Sequence, residues 1–227
     1  TINACTKGIW MWSKPIRTQN EAGETVNTIV LDSEGLGAID QDASHDCRIF
    51  ALVLLLSSVF MYNSMGAIDE SAIENLSLVI NLTKHIRTRV RKFAEGDEDE
   101  DSEDFANYFP AFIWVLRDFA LQLVDKANNP ITSRQYLEQS LELQPGVSDE
   151  VEKSNRVRRL ISSFFRDRDC YTLVRPLTDE SDLQKLESLD FSSLRSEFVT
   201  QALELRHRAL SLDRKKAVCG REVNGQA

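Results

Sequence analysis

The amino-acid sequence predicts an α/β domain in which a mostly parallel sheet is flanked by helices. Short apolar runs rich in β-branched residues alternate with longer segments whose apolar residues recur at helical spacing. The strand-like runs are apolar throughout rather than alternating, which is typical of strands covered on both faces. Strands of this kind that alternate with amphipathic helices favour a parallel sheet. The length of 227 residues fits one large domain or two small ones.

The first elements are predicted from apolar runs and the polar residues that interrupt them. Val26–Leu31 is a short apolar run that stops at an acid, so we predict a buried strand there. The glycine-containing segment Asp32–Asp42 is predicted as a solvated loop. A short helix is expected from Asp46 to about Leu55, and a second buried strand at Ser58–Tyr62.

A capping box predicts the start of the next helix. Ser71 and Glu74 have the spacing at which a hydroxyl accepts from a free amide and the glutamate reaches back. Apolar residues then recur at helical spacing up to Ile86. The segment that follows, Glu95–Asp104, is almost wholly acidic and is expected to be a disordered, solvated insert.

The second half of the chain continues the alternation of strands and helices. Ala111–Leu116 is predicted as a third buried strand, ending at Arg117. Thr132 and Gln135 form another capping box, which opens a helix to about Leu143. A helix is then expected at 155–165 and a strand at 171–174. A long helix, continuous or broken, is expected at 191–218, and a linker at 220–225.

Composition excludes several classes of protein. The formal charge of −9 argues against nucleic-acid binding through general basicity. The four cysteines lack paired spacing, so we expect free thiols in a reducing, cytoplasmic compartment rather than disulfides or a zinc site. The most apolar run, Ile49–Met61, falls short of the roughly 20 residues that a spanning helix needs.

Polar residues follow three of the predicted strands, where ligands of open α/β sheets bind. They are Asp32 with Glu34 and Gly35, Arg117 with Asp118, and Arg175. A carboxylate there can hold a cation such as Mg²⁺. A glycine lets a backbone amide approach a phosphate.

A second carboxylate at this edge could accept two hydrogen bonds from guanine, because guanine presents two adjacent donors and adenine does not. A site built for those donors rejects the wrong base. The same acids also suit turns and helix N-caps, and that interpretation stays open.

Five short segments and two dipeptides carry a family likeness. In chain order they occupy Lys7–Trp12, Leu31–Gly35, Leu54–Ser58, Tyr62–Gly66, Trp114–Phe119 and, as two dipeptides, 164–165 with 175–176. Their order and their spread over nearly the whole chain resemble guanylate-binding proteins, which are dynamin-like large GTPases. The likeness is nearest to the plant and protist branch. The resemblance implies a phosphate-loop-type α/β fold that binds GTP with Mg²⁺ and hydrolyses the terminal phosphate.

The resemblance assigns a role to each matching residue. It implies that Thr6 is a switch threonine that binds Mg²⁺ and closes over the terminal phosphate, and that Asp32 holds Mg²⁺ through water. Glu34 then belongs to the second switch, and the amide of Gly35 points to the terminal phosphate. Arg117-Asp118 matches the base-recognition motif, with Asp118 as the carboxylate that reads guanine.

The resemblance also bears on partners and on domain organisation. Arg175 lies in a segment that caps the base and faces a partner subunit, so a homodimer through the nucleotide face is expected. We expect 1–219 to form a partial GTP-binding domain and 220–227 to begin a linker to a helical domain. Membrane association would depend on other regions of the parent protein.

One part of the family pattern is expected upstream of Thr6 and does not occur in the sequence. It is the first strand and the phosphate-binding loop of Gly-X-X-X-X-Gly-Lys-Ser/Thr type, whose amides and lysine cradle phosphates. Two hypotheses follow for this chain. It is either part of an active GTPase or a truncated, inactive module that only dimerises or binds other proteins.

Overall fold

The computed structural model describes residues 6–20, 23–35, 43–76, 109–212, 217–218 and 221–222. The strands are β1 Ile9–Met11, β2 Ile16–Gln19, β3 Thr25–Thr28, β4 Leu31–Ser33, β5 Val59–Met65, β6 Ala111–Arg117, β7 Arg168–Thr172, β8 Ala217–Val218 and β9 Arg221–Glu222. The α-helices are α1 Ala43–Leu56, α2 Glu70–Asn75, α3 Ser133–Ser140, α4 Asp149–Phe164, α5 Glu180–Leu183 and α6 Ser196–Ser211. The short segments Leu186–Ser188 and Phe191–Ser193 are 3₁₀-helical.

A three-stranded parallel sheet forms the centre of the fold, with the order β5-β6-β7. The middle strand is covered on both faces, because every residue from Ala111 to Leu116 is buried. Trp114 lies opposite Tyr62 on one side and Cys170 on the other. This confirms the predicted α/β class and the third predicted strand. Trp114 itself belongs to the core, since it is fully buried.

The two faces of the sheet pack against different helices. On one face Phe112 and Trp114 join a large aromatic cluster, in which Phe112 and Phe165 have ring centroids 4.7 Å apart. On the other face Ile113 and Val115 pack with Leu205 of α6. The alternation of side chains along β6 therefore produces two cores, and β6 is the strand that fixes the carboxyl edge of the sheet.

The strands before α1 pair in a way that the sequence analysis did not predict. β1 pairs with β4 and β2 pairs with β3, and both pairs are antiparallel. The predicted single buried strand at Val26–Leu31 is wrong, since the run is divided between β3 and β4. Its side chains are exposed or half-buried rather than enclosed.

The two predicted capping boxes have different outcomes. Thr132 and Gln135 form a complete capping box at the start of α3, as predicted. The box at Ser71 and Glu74 is wrong, because Asp69 is the N-cap of α2 and accepts from the amide of Ala72. Aspartate is a strong N-cap residue and it comes two positions earlier.

Several element bounds differ from the prediction. The helix expected at 155–165 begins earlier, at Asp149, where Ser148 provides the cap. The strand expected at 171–174 begins earlier, at Arg168, and ends earlier, at Thr172. The long helix expected at 191–218, continuous or broken, is shorter than predicted, since α6 spans only Ser196–Ser211 after the 3₁₀ turn at Phe191–Ser193 and β8 follows it. The acidic insert 95–104, the predicted helix beyond residue 76 and most of the linker 220–227 lie outside the described residues.

Two further observations bear on the expectations from composition. Cys47 and Cys170 are free thiols. Of the helices that the structure describes, none combines the length and the apolar character needed to cross a bilayer.

Candidate functional site

Three of the candidate residues lie at the carboxyl edge of the parallel sheet. Arg117 is the last residue of β6, Asp118 follows it directly, and Arg175 lies three residues beyond the end of β7. Because β6 and β7 are parallel neighbours, their carboxyl ends meet at one edge. Arg117 and Asp118 thus lie at the strand end where they were predicted, whereas Arg175 lies three residues beyond its strand rather than directly after it. The roles of all three residues stay predictions.

The backbone of Asp118 adopts an uncommon conformation at this edge. Its φ is 53°, in the left-handed region that aspartate tolerates better than most residues. Both neighbours are fixed by hydrogen bonds, since the carbonyl of Arg117 accepts from the amide of Gly66 at 2.7 Å and the amide of Phe119 donates to Leu173 at 3.0 Å. The half-buried carboxylate of Asp118 receives no hydrogen bond from the described part of the chain. It is therefore presented on a fixed backbone and is open to a donor from a ligand.

Arg175 is engaged by its own loop. Its Nη1 donates to Oε1 of Glu180 at 2.8 Å, at the start of α5. The amide of Arg195 donates to the carbonyl of Pro176 at 2.9 Å and ties this segment to the start of α6. The segment after β7 is thus held in place beside the end of β6, as a cap over the edge would require.

The other candidates lie on the antiparallel pair β1–β4. Asp32 sits inside β4 opposite Trp10, and its side chain is exposed. The expectation that Asp32 follows a parallel strand is therefore wrong. Thr6 nevertheless contacts it directly, because Thr6 Oγ1 donates to Asp32 Oδ2 at 2.8 Å.

This hydroxyl and carboxylate are oxygen donors of the kind that Mg²⁺ selects. Magnesium is usually bound by one or two protein groups together with water and substrate phosphates. The pair fits that description and lies on an exposed face, since Asp32 is exposed and Trp10, its register partner in β1, is 63% exposed. Within the described ranges no group of three or more metal-binding side chains occurs, so the pair alone would not form a closed protein cage.

Glu34 is the most enclosed of the candidates. Only 5% of the residue is exposed, although it is an acid. Its Oε2 accepts from the amide of Gly8 at 3.0 Å, and its Oε1 bonds Nε2 of His45. The carboxylate thus connects the segment before β1 to the start of α1. The exposed Gly35 follows, and a Cβ there would meet no atom of the described residues within 4 Å, so packing against those residues does not require glycine at this position.

Contacts through α1 connect the two groups of candidates. His45 at its start bonds Glu34, and Phe50 packs edge-on against Phe60 of β5 at 5.4 Å. Gly66, just after β5, then bonds the carbonyl of Arg117. The convergence of Asp32 and Asp118 on one pocket stays a prediction.

Sequence reasoning missed two residues that support the candidates. No sequence pattern around His45 indicates its bond to Glu34, which joins residues 11 positions apart. Tyr136 belongs to no recognisable sequence motif, yet its hydroxyl accepts a hydrogen bond from the amide of Ile68 at the same sheet edge. Only the folded chain brings these groups together.

Comparison with known proteins identifies the family. A family model described as "Guanylate-binding protein, N-terminal domain" matches residues 1–218. Guanylate-binding protein 2 of Mus musculus is 40% identical over 221 residues, which are 97% of this chain and 36% of that protein. Guanylate-binding protein 1 of Homo sapiens is 39% identical over 227 residues, which are 99% of this chain and 37% of that protein.

The chain therefore spans about a third of the length of these curated relatives, at 36% and 37%. Both are mammalian, and the expected plant and protist branch stays a prediction. The match covers the candidate residues from Thr6 to Arg175 and all elements through β8. The chain belongs to the guanylate-binding protein family.

Proposed function

We propose that this chain is the part of a large GTPase that binds GTP and Mg²⁺, and that the protein hydrolyses the terminal phosphate. The observation that carries the proposal is Asp118, an open carboxylate on a fixed left-handed backbone at the end of a buried parallel strand. Ionised carboxylates accept hydrogen bonds only, which suits the adjacent N1 and N2 donors of guanine. The names of the relatives support the same assignment.

The switch residues have separate parts in this proposal. Thr6 and Asp32 would hold Mg²⁺ beside the phosphates, where the cation neutralises charge on the phosphoryl oxygens. Gly35 would direct its amide to the terminal phosphate, and Glu34 would keep the second switch connected to the first. Water attacks the terminal phosphorus and the bond to the bridging oxygen breaks, which yields GDP and phosphate.

Assembly and location form the outer part of the proposal. Arg175 and the segment that Glu180 fixes would cap the base and meet a second subunit, so nucleotide binding and dimerisation would be linked. Ordering of segments by contacts to the terminal phosphate is a known basis for such switches. A cytoplasmic location fits the free thiols of Cys47 and Cys170.

Binding of fluorescent GDP and GTP analogues to the protein in its natural full length tests the proposal. Asp118→Asn should weaken guanine binding by about 100-fold or more, because an amide cannot accept both hydrogen bonds. Xanthine nucleotides carry a carbonyl in place of the N2 amine, so the Asp118→Asn variant should bind them more tightly than the wild type does. Asp190→Asn is the control, since Asp190 is exposed and makes no cap bond through its side chain.

The outcome separates the two hypotheses. Guanine preference that depends on Asp118 supports the GTPase assignment. Equal binding of guanine and adenine nucleotides would show that Asp118 does not read the base. A full-length protein that binds no nucleotide would favour an interaction module instead.

A further inference from the structure

The direction of the Asp118 carboxylate depends on the backbone around it. Since no side chain within the described ranges bonds this carboxylate, the φ of 53° and the two neighbouring residues determine where it points. One neighbour, Arg117, is held through Gly66 in the segment between β5 and α2. The other neighbour, Phe119, is 7% exposed and lies in the main core. Whatever moves either support would tilt the carboxylate.

Tyr136 of α3 contacts both supports at once. Its hydroxyl accepts from the amide of Ile68 at 3.1 Å, two residues after Gly66. Its ring packs edge-on against Phe119, with centroids 5.8 Å apart and an angle of 63° between the rings. A single side chain thus connects the segment after β5, the strand that pairs with β6, to the residue directly after Asp118.

The helix that carries Tyr136 is itself well anchored. Its first turn has the complete capping box of Thr132 and Gln135, and the amide of Tyr136 bonds the carbonyl of Thr132 at 3.0 Å. Leu137 on the same helix is fully buried. The position of Tyr136 is therefore also set by contacts other than its own with Phe119 and Ile68, as a positioning residue requires.

We propose that Tyr136 is a positioning residue for guanine recognition, which holds Asp118 in the orientation that reads the base. This inference rests on the proposed function and deepens it. The ring of Tyr136 holds Phe119, and the hydroxyl holds the 66–68 segment against Arg117. Loss of either contact widens the range of directions of the Asp118 carboxylate, and a hydrogen bond that is out of line is weak.

The test compares guanine and hypoxanthine nucleotides, because hypoxanthine lacks only the N2 amine. Fluorescent GDP and IDP analogues are titrated into the full-length protein, and the ratio of their Kd values is the readout. A partly unfolded variant loses affinity for both nucleotides alike, so a merely structural role leaves the ratio unchanged. Tyr136→Phe removes the hydroxyl alone, and Tyr136→Leu removes the ring contact as well.

Tyr136→Phe should reduce the preference for GDP by about threefold to tenfold, the range of one net hydrogen bond. Tyr136→Leu should reduce it further. Tyr171→Phe is the matched control, since Tyr171 packs on the other face of the sheet beside α6. It should leave the ratio unchanged.

The failures of the two proposals can be told apart. A wild-type ratio that Asp118→Asn abolishes but both Tyr136 variants preserve would overturn the role of Tyr136 alone. A wild-type protein without preference for GDP would overturn both, beginning with the assignment of Asp118. A loss of preference equal in Tyr171→Phe and Tyr136→Phe would also count against a specific role.

Discussion

Replacing Glu70 by alanine should destabilise the protein far more than replacing Glu74, one turn along the same helix. Arg158 of α4 is only 2% exposed at its side chain, and its guanidinium bonds Glu70, whose side chain is 58% exposed. The neighbouring pair of Lys153 and Glu74 is 64% and 63% exposed. The two glutamate side chains are therefore similarly exposed, but one has a buried partner and the other an exposed one.

The magnitude follows from what each change leaves behind. Glu70→Ala leaves a buried cation whose remaining bonds to described residues go to the carbonyl of Ser140 at 3.1 Å and the hydroxyl of Ser154 at 2.6 Å. Breaking a buried pair costs about 3–5 kcal/mol, and these two acceptors together with the exposure of Glu70 reduce the expected loss to about 2–4 kcal/mol. Glu74→Ala breaks an exposed pair and should cost less than about 1 kcal/mol.

Urea unfolding followed by tryptophan fluorescence measures both losses, provided that the slopes agree. The pKa of Glu70 is lowered from 4.5, first by the hydrogen bond from Arg158 and then by that from Ser154. Because this pKa is lowered by folding, the ionised Glu70 contributes to the free energy of unfolding above pH 4.5, and that contribution is lost as the pH falls through the folded pKa. The difference in free energy of unfolding between wild type and Glu70→Ala should thus become smaller in acid. Equal destabilisation by Glu70→Ala and Glu74→Ala would refute the reasoning.

Three other predictions concern separate parts of the chain. His45→Ala should lower kcat for GTP with little change in nucleotide affinity, because Glu34 loses its bond to α1. His45→Gln should recover part of the rate. Steady-state kinetics in which both variants match wild type would contradict this prediction. Burial, and then the charge of Asp169, raise the pKa of Cys170 to about 12, so iodoacetamide at neutral pH should label Cys47 before Cys170 in peptide mapping. Phe112→Ala should cost about 3–5 kcal/mol in urea unfolding, since the ring is fully buried among aromatic neighbours.

The sequence predicted best those features that local chemistry determines. Ala111–Leu116 is apolar at every position, and a run of that length has few alternatives to a buried strand. The box of Thr132 and Gln135 is confirmed because both partners lie within one turn of the helix. At the start of α2 the side chain of Asp69 forms the N-cap hydrogen bond instead of the hydroxyl of Ser71.

Features that depend on distant partners could not be predicted in the same way. The strand at Leu31–Ser33 exists because residues 9–11 pair with it, and the exposed β1 gave no alternating pattern to reveal this. The bond between Thr6 and Asp32 spans 26 positions, and the bond between Ile68 and Tyr136 spans 68. Strand ends nevertheless gave the correct edge for Asp118, since parallel neighbours place their carboxyl ends together.

The most direct test of the account is a crystal structure of the full-length protein with GDP and Mg²⁺. One nucleotide should span both groups of candidates, with the Asp118 carboxylate accepting from N1 and N2 of the base. Asp32 should contact a water on the cation, close to the phosphates. A nucleotide whose base lies away from Asp118, or whose cation lies away from Thr6 and Asp32, would contradict the single guanine pocket.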